Sequence, residues 1–290
     1  MQPKRVIVSA DDFGMSPGIN EAVLRAHTDG VLTDTSLMVN GAAADEAIAL
    51  ARAAPRLSVG LHLVLAQGRA TLPPREIPDL VDGDGFFRDQ EIRAALGYFF
   101  TPGVRAQVRR EIAAQIEKFL ASGLPLSHVD GHVNIHMHPT ILNILLELAE
   151  RYNIRALRLT FEPLRAALQI DPRHAARKIA EGLTFAALSS YARPRMDARR
   201  IRHPDRLFGL HRSGHLTESY LLQLLSRIEP GVTEIYCHPA RLDAEVRRWR
   251  PADYESEAEL VALTSARIAE RIQELSIALT SYRELVSGAA

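Results

Sequence analysis

The sequence contains one cysteine, Cys237, so no internal disulfide can form and an oxidising compartment is not implied. Lysine is nearly absent, at positions 4, 118 and 178 only, so the positive charge is almost all arginine, which reads as a coding bias. Basic and acidic residues cancel to a formal net charge of zero. No global field is then available to recruit nucleic acid or anionic lipid. No window approaches the ~18 apolar residues of a membrane span. The few apolar residues before Asp11 are too short for a signal-peptide core. The expectation is a soluble, cytoplasmic protein. Walker A, Rossmann-glycine and Gly-x-Ser-x-Gly patterns are missing, which counts against phosphate-cradle and serine-hydrolase chemistry. Internal repeats, low-complexity stretches and a domain linker are also missing. A length of 290 residues fits one large α/β domain or two small ones.

What stands out is Ser9-Ala10-Asp11-Asp12-Phe13-Gly14, directly after the apolar run Val6-Ile7-Val8. Two adjacent carboxylates at the end of a buried strand are costly unless a positive group sits beside them. The histidines downstream point to a metal ion.

Short apolar runs predict strands over 5–9, 35–39, 57–63, 126–129, 156–159, 233–237 and 275–279. Amphipathic segments lie between them. Ser16-Pro17 and Thr101-Pro102 open helices that Asp29-Gly30 and Ser122-Gly123 close. In the second, Val104, Val108, Ile112, Ile116, Phe119 and Leu120 hold one face. His138-Pro139 and Asp171-Pro172 open two more. Ser256-x-x-Glu259 and Ser281-x-x-Glu284 fit the capping box. Strands alternating with helices predict a parallel sheet, open or closed into a barrel. Polar residues recurring at strand ends favour the barrel, where chemistry collects at the C-terminal ends of strands. Two regions break the alternation. Residues 66–101, with Phe86, Phe87, Tyr98, Phe99 and Phe100, read as a long insertion. Residues 186–215 are arginine-rich, and Arg193 to Arg206 reads as a solvated loop.

Four of eleven histidines fall within residues 128–138. In an extended chain His128, Asp130 and His132 share one face. Neutral imidazole is the commonest metal ligand. Taken alone, His62 reads as a satisfied core histidine, and His238, in Cys237-His238-Pro239, reads as structural. Cys237 reads as a small core residue. Arg158 and Glu162 follow a strand. Arg158 there either orients a carboxylate such as Asp11 or forms a surface ion pair. Arg247-Arg248-Trp249-Arg250 is thin support for nucleic acid.

The ordered motifs Ala10-Asp11-Asp12-Phe13-Gly14, Val39-Asn40-Gly41, Gly60-Leu61-His62-Leu63, His128-Val129-Asp130-Gly131-His132 with His136, and Cys237-His238-Pro239 resemble the YdjC-like carbohydrate deacetylases. Residues 206–210, 213–217 and 233–240 look most like the hopanoid-biosynthesis-associated branch. The resemblance implies a deformed (β/α) barrel related to polysaccharide deacetylases, in a single domain carrying the insertion. It implies a divalent metal on Asp12, His62 and His132, a catalytic base in Asp11, and an acid or oxyanion partner in His238. His128 and His136, with Arg158 and Glu162, are left for orienting or substrate contact. Two histidines and an aspartate suit Zn²⁺, with Mg²⁺ as the alternative. The implied substrate is an N-acetylglucosaminyl glycan or glycolipid. A lipid acceptor would bring the protein to the inner-membrane surface. A homo-oligomer stays open, as do a metal phosphoesterase and a non-catalytic sugar-binding protein.

Overall fold

The structure, a computed structural model, describes residues 3–87 and 101–288. Strands β1 (Lys4–Phe13), β2 (Asp34–Leu37), β3 (Ser58–Leu63), β4 (Val129–Gly131), β5 (Arg206–Phe208) and β6 (Gly231–Cys237) run in the spatial order β4-β3-β2-β1-β6-β5. All are parallel, and β7 (Ala278–Leu279) adds to β1 at Arg5 and Val6. Extended residues 155–161 close the gap between β4 and β5. Arg158 N donates to Val129 O at 3.1 Å, and Leu207 N donates to Phe161 O at 2.8 Å. The result is a barrel with one weakly laddered side.

Helices α1 (Pro17–Thr28), α2 (Ala44–Ala53), α3 (Pro102–Ala121), α4 (Pro139–Leu148), α5 (Leu164–Ile170) and α6 (Ala175–Ala198) follow in chain order. They continue as α7 (Glu218–Leu225), α8 (Ala244–Trp249), α9 (Ser256–Leu263), α10 (Ala266–Glu274) and α11 (Tyr282–Ser287). The apolar core lies between sheet and helices. Val6, Val8 and Ala10 of β1 belong to it, whereas Ile7, Ser9 and Asp11 alternate to the other face. That inner face is unusually polar: Ser9, Asp11, Ser36, His62, His128, Asp130, Arg158 and Glu234 are all buried.

Several sequence expectations shift. The fourth strand begins at Val129, three residues later than its apolar run. Residues 156–159 make isolated bridges in place of a strand, and Arg206–Phe208 supplies one that was not foreseen. Residues 186–198 continue α6, so the first part of the arginine-rich stretch is helical. α6 starts at Ala175, because His174 takes a left-handed φ of 54° and separates Asp171-Pro172 from the helix. Leu120 is exposed, while Val108, Ile112, Ile116 and Phe119 are fully buried. On the same helix Gln107, Glu111 and Gln115 are buried too, and their side chains grip the loop after β3. Glu111 accepts from Thr71 N and Leu72 N at 2.8 and 3.0 Å, and Gln115 brackets both Val64 backbone groups. Of the five insertion aromatics, Phe87 is core, Phe86 is half-buried, and Tyr98, Phe99 and Phe100 lie outside the described residues.

Ser16 and Ser281 cap their helices, accepting from Ile19 N and Glu284 N, each at 3.2 Å. Ser256 does not cap, because it sits inside α9. Its presumed box partner Glu259 is drawn inward, accepting from Leu216 N at 2.9 Å and from His238 N.

Candidate metal centre

Strict strand alternation would send Asp11 and Asp12 to opposite faces. It does not here, because Asp12 adopts a left-handed φ of 67° where the β1–β2 register shifts between Ala10 and Phe13. Aspartate tolerates this conformation better than most non-glycine residues. The kink brings both carboxylates to the C-terminal mouth of the barrel. Each is then held by its own arginine. Arg158 donates Nη2 to Asp11 Oδ1 at 2.7 Å and Nη1 to Oδ2 at 2.8 Å. Arg250 donates Nη2 and Nε to Asp12 Oδ2 at 2.9 and 3.2 Å.

With Oδ2 engaged, Asp12 Oδ1 faces His132 Nδ1 at 3.1 Å and His62 Nε2 at 3.4 Å. All three atoms lie within 4.8 Å of one another. Ligands bound tetrahedrally ~2.1 Å from a shared ion stand roughly 3.4 Å apart, so these residues fit a divalent cation. His62 is tethered from behind. Its Nδ1 lies 2.9 Å from Asp130 Oδ1 and 3.0 Å from Ser36 Oγ, which leaves Nε2 aimed at Asp12. A carboxylate behind a histidine ligand fixes ring orientation and raises its basicity. Burial alone would lower the His62 pKa, but Asp130 and Asp12 raise it to about 10. This is a place that demands positive charge. Burial works on Asp12 in the opposite sense, yet Arg250 and the two histidines hold its carboxyl well below the usual range.

Asp11, Asp12, His62, His132 and Arg158 therefore meet at one point. His238 joins them from the end of β6. Its carbonyl accepts from Arg250 Nη1 at 2.6 Å, and its Nδ1 is buried without a hydrogen-bond partner among the described residues. Burial lowers its pKa to about 4, against the pull of Asp12 and Asp11, so the ring is neutral at rest. Of the two readings of Arg158, the surface ion pair is wrong: the side chain is 1% exposed. It is shared among Asp11, Asp130 and Glu234, the last two at 2.9 Å each.

His128, on the inner face, and His136, in the turn that follows β4, are both 0% exposed, so neither can touch a substrate. His128 stacks on Tyr282 with centroids 3.8 Å apart, and burial lowers its pKa to about 3. Gly60 makes room for that ring, since a Cβ there would sit 2.4 Å from His128 Cε1. His136, lowered by burial to about 4, lies with Nε2 3.2 Å from the Arg158 carbonyl. Glu162 is not brought to the cluster. It accepts from His211 N at 3.1 Å, and burial raises its pKa to about 7. Cys237 is core, its Sγ 3.2 Å from Ser9 O. Sequence reasoning missed Arg250, Glu259 and Glu234. Arg250 reads as one of a solvated run, and only burial against Asp12 reveals it.

Beside the Asp–His cluster a cavity of about 230 Å³ opens between Met15, Met38, Val64, Phe86 and Trp249, rimmed by Arg69 and Arg248. Met15, Met38 and Val64 follow the ends of β1, β2 and β3, so the cavity lies on the same face as the cluster. Phe86 and Trp249 stack with centroids 5.9 Å apart. Among the described residues no helix is long and apolar enough to cross a membrane.

A carbohydrate deacetylase of Geobacillus stearothermophilus is 32% identical over 283 residues, covering 97% of this chain and 98% of its own. One from Brevibacillus brevis is 32% identical, covering 97% and 99%. A solved structure from Enterococcus faecalis, described as a cellobiose-phosphate cleavage protein, superposes with a TM-score of 0.75 at 29% identity, covering 98% and 99%. Residues 5–274 match the family described as YdjC-like protein. With nearly its whole length matched, the chain belongs to the YdjC-like family.

Proposed function

We propose that this protein is a metal-dependent N-deacetylase that hydrolyses the acetamide of an N-acetylglucosamine-type sugar and releases acetate. One observation carries the reading. Asp12, His62 and His132 converge on a point, while Asp11, which clusters with His62 and Asp130, has both oxygens engaged by the Arg158 fork. The names of the Geobacillus and Brevibacillus relatives support the same chemistry. Zn²⁺ suits two imidazoles and one carboxylate, and Mg²⁺ is the alternative. When bound, the ion supplies a nucleophile at neutral pH and polarises the acetamide carbonyl.

The residues of the chain do the rest. Asp11, fixed by the Arg158 fork, accepts the proton of the attacking water. His238 is neutral at rest, so the proton that Asp11 takes from the water passes on to it and from it to the departing amine, which returns both groups to their starting states. Arg250 ties Asp12 to the His238 carbonyl, which sets ligand and proton donor at a fixed separation. Asp130 holds His62.

For the acceptor we propose an N-acetylglucosaminyl hopanoid lipid, met at the membrane surface. The resemblance of residues 206–210, 213–217 and 233–240 supports it, as does the apolar cavity of Phe86 and Trp249. Burying ~100 Å² of aglycone there would contribute roughly 2.5 kcal/mol, nearly two orders of magnitude in kcat/KM. A free chito-oligosaccharide is the second reading, consistent with relatives named carbohydrate deacetylases. The test is acetate release from both acceptors by Zn²⁺- or Mg²⁺-loaded protein, in wild type and in Phe86→Ala/Trp249→Ala. The lipid-linked acceptor is expected to be preferred, with the preference lost on truncation. Equal kcat/KM for both acceptors, unchanged by truncation, rejects the lipid. No acetate from any acceptor rejects the deacetylase.

A further inference from the structure

The floor of the barrel, opposite the metal, has no part in the chemistry above. There α11 drives Tyr282, 0% exposed, against Ile7, Ala156 and Val232. A phenylalanine would fill that space equally well. Tyr282 nevertheless carries a hydroxyl, and it donates to Glu234 Oε2 at 2.6 Å. The other oxygen of Glu234 accepts from Arg158 Nε and Nη2 at 3.0 and 2.9 Å. Arg158 then grips Asp11 through both terminal nitrogens. A continuous buried chain thus runs Tyr282–Glu234–Arg158–Asp11, from floor to mouth. The Tyr282 ring adds a second route. It stacks on His128, whose Nε2 lies 4.0 Å from Asp130 Oδ2, and Asp130 also pairs with Arg158.

One guanidinium serves three carboxylates here, so its aim toward Asp11 depends on how the other two are held. Glu234 takes the Nε–Nη2 edge and leaves the outer end of the fork for Asp11. Among the described residues the Tyr282 hydroxyl is the sole donor to Glu234 Oε2. Without it that buried oxygen has no partner, and the carboxylate is free to turn.

We propose that Tyr282 is a positioning residue for the reaction, fixing through Glu234 the Arg158 fork that aims Asp11. This rests on Asp11 being the base. Tyr282→Phe keeps the ring and removes the hydroxyl. In metal-loaded protein kcat is expected to fall on the order of ten- to a hundredfold, the scale of small misplacements of a reacting group. KM and metal content stay unchanged, because Tyr282 touches neither. Glu234→Gln should give a similar fall, and the double variant little more. Ile272→Ala, on α10 and in the main core away from the Tyr282 cluster, should lower Tm and leave kcat intact. Wild-type kcat in Tyr282→Phe, with Tm alone reduced, would overturn the proposal. If Tyr282→Phe does not fold, wild-type kcat in Glu234→Gln overturns it. A crystal structure of either variant reads the link without activity: the fork should leave Asp11. A fork still bidentate on Asp11 overturns the proposal, whereas inactivity of the wild type toward every acceptor overturns only the deacetylase reading.

Discussion

Replacing Asp11 by Asn tests the proposed division between base and ligand, and the structure sets the expected cost in stability. Each Asp11 oxygen accepts one Arg158 hydrogen bond, at 2.7 and 2.8 Å. Asparagine keeps one acceptor and turns an amide N–H toward the guanidinium at the other. An unsatisfied buried donor costs about 1–3 kcal/mol. The loss is offset in part, because Arg158 keeps Asp130 and Glu234 and the cluster sheds one of three negative charges. The net destabilisation should be near 1 kcal/mol, a drop of about 2–4 °C in Tm. Activity should suffer far more. Loss of a general base lowers kcat by roughly 10²–10⁴, which is about 3–5 kcal/mol of barrier. Acetate release, thermal melting and metal content should be measured on one preparation. The expected result is a folded, metal-replete, nearly inactive protein. Loss of the metal with the activity would make Asp11 a ligand and refute the division of roles. Wild-type kcat would refute the base.

Arg250→Met should destabilise metal-free protein by about 3–5 kcal/mol, since it strands a buried carboxylate. Zn²⁺ should recover much of that by pairing Asp12, and an equal Tm loss with Zn²⁺ and with chelator would contradict it. Gly60→Ala places a methyl 2.4 Å from His128 Cε1 and should cost about 1–3 kcal/mol by overpacking, read by chemical denaturation. Asp34 is raised by burial to about 7, so the folded state keeps a proton that the unfolded chain has released. Stability from this group therefore falls as pH rises between ~4 and 7, by up to about 1.4 kcal/mol per pH unit. Asp34→Asn should flatten that slope in denaturation curves, and an unchanged slope would assign it elsewhere. His62→Ala should abolish stoichiometric metal binding, and retention of one ion per chain would remove His62 from the ligand set.

Much of this molecule is written locally. Alternating apolar runs, Ser16-Pro17 and Ser281-x-x-Glu284 specify strands and helix starts through short-range geometry, and the parallel sheet follows. Asp11, Asp12 and His132 stand out because paired acids and clustered imidazoles at strand ends have few other uses, whereas His62 taken alone reads as a core histidine and joins them only through the family resemblance. The same logic misled at Ser256-x-x-Glu259. A capping box is a local pattern, and His238 and Leu216, distant in sequence, claimed Glu259 instead. Leu120 and the Gln107–Glu111–Gln115 stripe failed for a similar reason: helical periodicity gives the faces, but only the loop packed against α3 says which polar face is buried.

The sequence by itself determined most of the element types and the reactive residue types, because propensity, capping and alternation act within a few residues. Tertiary structure decided the rest. The left-handed turn at Asp12 defeats alternation, so two neighbouring acids reach one mouth. Arg158 and Arg250 then divide them, one to each, across 147 and 238 residues of chain. An arginine reads the same in solvent as in a core. Burial, which only the folded chain creates, strengthens its pairing and gives each carboxylate its separate place.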